Sequence, residues 1–186
     1  MRGKLYLDAT GWISQAVAVP SPNFDQRTDY GIDLLVVHAI SLPPGEFGGD
    51  GIEALFTNRL DPDEDPFYRE IHDLRVSAHF LIRRDGKLLQ FVSVYDRAWH
   101  AGVSSFDGKS KCNDFSIGVE LEGCDELRFE AEQYSTLVEL TSCLQVTFER
   151  ISNQRIAGHQ TIAPGRKTDP GPHFDWPRYL GALAKR

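Results

Sequence analysis

Seven consecutive residues, Leu34-Leu35-Val36-Val37-His38-Ala39-Ile40, are apolar but for one histidine. A strand with no polar side must be covered on both faces, as in parallel sheets packed under helices. Pro43-Pro44-Gly45 ends the run. A second strand is predicted over 115–122, where Ile117, Val119 and Leu121 share one face and Gly118, Glu120 and Glu122 the other. A hairpin is predicted from strands over 77–82 and 88–92, because Asp85-Gly86 supplies the positive φ angles of a tight turn. Helical periodicity over 130–150 puts Tyr134, Leu137, Val138, Leu144 and Phe148 in one stripe, with Glu130 and Glu132 in the first turn. Shorter helices are predicted within 52–60 and over 176–185, and 163–172 is too rich in proline and glycine for regular structure. The expected fold is one α/β domain over 1–186, a central mixed β-sheet flanked by helices. At 186 residues, a single core buries roughly 70% of the unfolded surface.

Charge and cysteine content exclude several function classes. The net charge of −7 argues against a nucleic-acid partner. The acidic stretch 61–66 is bracketed by prolines and reads as a solvated loop. No apolar run approaches the ~18–20 residues of a membrane helix, and Asp8 interrupts the N-terminal apolar stretch before it reaches leader length. Cys112, Cys124 and Cys143 form no CxxC pair and, being odd in number, suit a reduced, cytoplasmic protein. A monomer is expected.

Five polar residues stand where burial or rigidity makes them costly. His38 is at the carboxyl end of the apolar strand, where α/β sheets present functional groups, although a lone strand histidine is usually a hydrogen-bonded core residue. Glu120 interrupts a core-like strand. It is either a carboxylate on a solvent-facing edge or a buried acid/base with a tuned pKa. His159 follows Gly158, and Asp169 lies ten residues on, in a proline-braced loop where Asp-Pro-Gly also serves as a plain turn signal. Lys167 stands two residues before it. His79 and His100 make weaker cases, the latter at a strand end entering a loop. Two imidazoles and a carboxylate suit a zinc hydrolase, because they leave an open fourth position on the metal. Separations of 121 and 10 residues form no local signature such as HExxH, so the residues alone reach only that reading.

The same residues lie in long collinear motifs. These include Val19-Pro20-Ser21-Pro22-Asn23, Leu35-Val36-Val37-His38, Arg75-Val76-Ser77-Ala78-His79 and Arg97-Ala98-Trp99-His100-Ala101-Gly102. Further along come Cys112-Asn113-Asp114-Phe115-Ser116-Ile117-Gly118, Glu120-Leu121-Glu122-Gly123 and Arg166-Lys167-Thr168-Asp169-Pro170-Gly171-Pro172. Together they resemble the AmpD-type N-acetylmuramoyl-L-alanine amidases, zinc enzymes of the amidase/peptidoglycan-recognition superfamily, over nearly the full length.

The resemblance implies zinc held by His38, His159 and Asp169. Glu120 would be the base that activates water and then protonates the leaving amine, and Lys167 would stabilise the oxyanion. The implied reaction cleaves the lactyl–L-alanine amide of 1,6-anhydromuramyl peptides during cell-wall recycling in the cytoplasm. Arg75 is the first choice for a stem-peptide carboxylate, because guanidinium binds one through two parallel hydrogen bonds. Trp99 offers a flat face to substrate, and Lys111 stands where the family commonly has arginine. A local basic pocket from Arg75, Arg97, Lys109, Lys111, Arg166 and Lys167 would reconcile an anionic substrate with the overall acidity. Ala39 and Thr161 depart from the expected asparagine and aspartate beside two of the ligands. The competing readings are a non-catalytic muropeptide-binding protein, which the complete ligand set disfavours, and a zinc peptidase, for which no peptidase motif is present.

Overall fold

The computed structural model describes residues 4–27 and 31–186. Residues 1–3 and 28–30 lie outside the described residues. In chain order the strands are β1 (Val17–Ala18), β2 (Phe24–Gln26), β3 (Leu34–Ile40), β4 (Phe80–Ile82), β5 (Leu88–Gln90), β6 (Asp96–Ala98), β7 (Ser105–Phe106), β8 (Lys109–Ser110), β9 (Ser116–Glu122) and β10 (Ile156–Gly158). The helices are α1 (Gly51–Phe56), α2 (Pro66–Ile71), α3 (Ala131–Thr147), α4 (His159–Ile162) and α5 (Trp176–Leu183).

The apolar run folds as β3, and its first five residues are buried on both faces. It lies inside a six-stranded sheet of order β1-β5-β4-β9-β3-β10. Only the β4–β5 pair is antiparallel. One face carries Leu35, Val37, Ile117, Val119 and Leu121, which pack with Tyr134, Leu137, Leu140 and Leu144 of α3 and Tyr179 and Leu183 of α5. The opposite face places Leu34 and Val36 against Ala101, Cys112, Phe115 and Ile162, all from loops or short elements. Helices α3 and α5 therefore cover one side, while the other is built by connecting segments over β3 and by α1 and α2, whose Ile52, Leu55, Phe56 and Tyr68 pack with Leu81 and Leu89.

The expected stripe of α3 is buried at Tyr134, Leu137, Val138 and Leu144, whereas Phe148 is the residue that caps the C-terminus. Glu130 and Gln133 form a reciprocal capping box at the other end. Gln133 also donates to the carbonyls of Ile82 and Glu122, tying the helix start to the sheet. The helix expected within 52–60 is α1, and the one expected over 176–185 is α5.

The hairpin forms with shorter strands than expected and a different turn. Arg83 N–H donates to the Lys87 carbonyl at 2.9 Å, and Gly86, at φ 78, is the one left-handed residue in the connection. Asp85 has no positive φ, so the glycine alone supplies the left-handed step. The segment 61–66 runs directly into α2, where Asp65 accepts from Phe67 N–H and Pro66 takes a position that needs no donor. The sequence reading does not anticipate α2, β10 or α4.

Candidate metal and catalytic site

Register brings the polar residues together. β3 and β9 run parallel, and His38 lies opposite Glu120 on the same face. β10 flanks β3 on its other side with Gly158 opposite Val37, so His159 emerges beside His38. The segment after α4 returns Asp169 to this point, its carbonyl accepting from Gln160 N–H at 2.9 Å. Three neighbouring parallel strands thus present their carboxyl ends to one spot, as the strand position of His38 suggested.

The three expected ligands converge. His38 Nδ1 lies 3.0 Å from His159 Nδ1 and 3.3 Å from Asp169 Oδ2, and His159 Nδ1 lies 3.1 Å from that same oxygen. Four-coordinate ions bonded at about 2.0–2.1 Å keep their ligand atoms about 3.3 Å apart, so these spacings fit a metal centre. His159 Nε2 is 3.3 Å from the Ala101 carbonyl, to which its N–H donates, and this leaves Nδ1 as a lone pair facing the other two. Among the described residues, His38, His159 and Asp169 form a cluster able to hold a metal ion.

The protonation states suit ligation. Burial pulls the His38 imidazole down to about 4, against the opposing pull of Asp169, so the ring is neutral at neutral pH. Burial alone would raise Asp169, yet the imidazoles of His159 and His38 hold its carboxyl below the ordinary range. Neutral imidazole and ionised carboxylate are the forms a metal requires.

Glu120 lies in mid-sheet between β3 and β4, so the edge-strand reading fails. It is 8% exposed, and its Oε2 is buried without a hydrogen-bond partner. Burial pushes its carboxyl well above the usual range, Asp169 adds to that, and Lys167 opposes it. Lys167 lines a groove with Ala39, Arg166, Asp125, Glu126 and Asp169. Arg166 is itself fixed, donating to the Ala101 carbonyl at 2.7 Å and that of Val103 at 2.8 Å.

The expected substrate contacts are not drawn into this cluster. Arg75 Nη1 donates to the carbonyls of His72 and Leu74. Trp99 Nε1–H donates to Asp25 Oδ1, and Lys111 is exposed in a left-handed conformation at φ 61. The wide basic pocket is not assembled either. Arg97 pairs with Asp25 and Asp114, and Lys109 with Asp33. Arg166 and Lys167 are the cations that line the groove, together with the carboxylates of Asp125, Glu126 and Asp169. Ala39 lines that groove, whereas Thr161 is exposed.

His100 is the residue that sequence reasoning undervalued. Its Nδ1 stands 2.9 Å from His38 Nε2. The available signal was its place in the Trp99-His100-Ala101-Gly102 motif, since a partner 62 residues away leaves no spacing pattern.

Comparison with known proteins agrees with this architecture. The family model for N-acetylmuramoyl-L-alanine amidase matches residues 27–172. The 1,6-anhydro-N-acetylmuramyl-L-alanine amidase AmpD of Salmonella typhimurium (strain SL1344) is 55% identical over 175 residues, covering 94% of this chain and 93% of that protein. AmpD of Escherichia coli (strain K12) is 54% identical over 176 residues, covering 94% and 96%. The crystal structure of a selenomethionine AmpD derivative superposes with a TM-score of 0.92 at 53% identity, covering 95% of this chain and 98% of that one.

Proposed function

The chain belongs to the N-acetylmuramoyl-L-alanine amidase family, and we propose that it is a zinc-dependent hydrolase of the lactyl–L-alanine amide of 1,6-anhydro-N-acetylmuramyl peptides, acting in cell-wall recycling. The observation that carries this reading is the convergence of His38 Nδ1, His159 Nδ1 and Asp169 Oδ2 in register with Glu120, in a chain whose relatives are named for that amidase. Zinc, the metal suited to two imidazoles and one carboxylate, supplies a Lewis acid that polarises the amide carbonyl and lowers the pKa of water.

The chain's own groups do the rest. Glu120 accepts a proton from the attacking water as the new carbon–oxygen bond forms. It returns that proton to the amide nitrogen as the carbon–nitrogen bond breaks, giving a muramic carboxylic acid and a peptide with a free amino terminus. A carboxyl raised by burial and restrained by a nearby lysine is suited to hold and return a proton. Lys167 supplies positive charge to the oxyanion of the tetrahedral intermediate. Arg75, Trp99 and Lys111 are proposed as outer substrate contacts, beyond the residues that line the groove.

We assign residues 1–186 to one amidase domain, active as a monomer on soluble wall fragments in the cytoplasm. Cys112, Cys124 and Cys143 are free thiols, which suits a reducing compartment. No helix among the described residues is long and apolar enough to cross a membrane.

Side-by-side rates on matched substrates test the substrate assignment. The kcat/KM on 1,6-anhydromuramyl peptides is expected to exceed that on peptides carrying ordinary reducing muramic acid by at least ~100-fold, about 2.7 kcal/mol of differential transition-state binding. Equal rates, or recovery of the native protein from the periplasm, would instead indicate a wall-remodelling amidase.

A further inference from the structure

An imidazole can face a metal with only one nitrogen, and the hydrogen bond made by the other decides which. For His38 that bond begins a chain of defined direction. Ser116 Oγ donates to the Cys112 carbonyl at 2.6 Å, and a carbonyl only accepts. With its proton committed there, Ser116 Oγ accepts from His100 Nε2 at 3.2 Å. His100 Nδ1 then carries a lone pair and accepts from His38 Nε2 at 2.9 Å. The proton of His38 therefore sits on Nε2, and its Nδ1 lone pair faces His159 and Asp169.

The fold holds His100 for this task. Its ring crosses that of His38 at 87° with centroids 4.9 Å apart. It lies on Gly118, where an added Cβ would come within 2.5 Å of the ring. Gly118 N–H donates to His79 Nδ1 at 3.0 Å, and the His79 ring packs edgewise on His100 at 5.7 Å.

We propose that His100, backed by Ser116, is a positioning residue that fixes the tautomer of His38 and so aims its Nδ1 at the metal. This rests on the metal reading of the site. Its consequence for metal affinity is the typical 10–100-fold loss when a ligand's outer partner is removed.

The test uses His100→Leu, which removes the acceptor, and His100→Asn, whose Oδ1 is as many bonds from the backbone as Nδ1 was. Imidazole nitrogen NMR on the metal-free protein reports the His38 tautomer, and chelator competition on the zinc-loaded protein reports affinity. The Nε2–H form of His38 is expected in the parent and His100→Asn but lost in His100→Leu. Zinc affinity is expected to fall 10–100-fold in His100→Leu and less than about fivefold in His100→Asn. Ser116→Ala, which strips only the far acceptor, should move both readouts the same way by less, and it carries the test if His100→Leu does not fold. An Nδ1–H tautomer in the parent, or unchanged readouts in His100→Leu or in Ser116→Ala, would overturn the proposal. A parent that holds the tautomer through His100 but takes up no zinc would overturn the metal reading instead.

Discussion

Glu120 is a buried carboxyl whose Oε2 has no hydrogen-bond partner, held opposite His38 by strand register. Leaving a buried polar atom unpaired costs roughly 1–3 kcal/mol, so a residue kept that way has work elsewhere. Glu120→Gln preserves size and burial but cannot accept and return a proton. It is expected to keep fold and zinc content while turnover falls at least about 10²-fold, read from product release and metal analysis on the same sample. Turnover within tenfold of the parent would remove Glu120 from the chemistry. His38 and Glu120 were visible in the sequence because each interrupts a run that is otherwise core. His159, Asp169 and Lys167 needed the family motifs, since nothing in a separation of 121 residues points to contact. His100 stayed obscure because its role is set by partners on β3 and β9, none of them near it in sequence.

At the level of elements, the long ones were legible and the short ones were not. β3 coincides with the apolar run, and β9 and α3 follow their periodicities. β10 has three residues and α4 four, too few for any period to register, yet they carry His159 to the site. β9 is buried on both faces because α3 and α5 cover Ile117, Val119 and Leu121 and the His100 ring lies on Gly118, which its own alternation cannot reveal. The division of labour between the sheet's faces has a measurable consequence. Leu137 of α3 is fully buried in the core between α3 and the sheet, with Leu35, Val37, Ile117 and Val119 rather than with His38, His159 and Asp169. Leu137→Ala is expected to cost about 2–5 kcal/mol in urea unfolding while zinc affinity and KM stay near the parent values. A loss under about 1 kcal/mol would mean that α3 does not carry the core as described.

For the whole molecule, acidity and fold stability are joined through buried histidines. His79 is fully buried, and burial, reinforced by Arg27, holds its imidazole well below the ordinary 6.5. As pH falls through 6.5 the unfolded chain gains this proton and the folded protein does not, so stability declines toward acid. One such group tilts the curve by up to about 1.4 kcal/mol per pH unit. His79→Gln should flatten the decline between pH 6.5 and 5 in urea-unfolding series, and parallel curves for the two proteins would contradict this. Within a chain of net charge −7, Arg166 and Lys167 line the groove beside Asp125, Glu126 and Asp169. Composition argues against nucleic acid as the default partner but gives no view of where individual charges lie. Arg97 and Lys109 looked available in the sequence and are neutralised by aspartates brought near only by folding. The bond that is cut distinguishes an amidase from a peptidase. Incubating the zinc-loaded protein with purified 1,6-anhydromuramyl-tripeptide and weighing the products by mass spectrometry should give free anhydromuramic acid and an intact tripeptide, whereas an uncut substrate or cleavage within the peptide would contradict it.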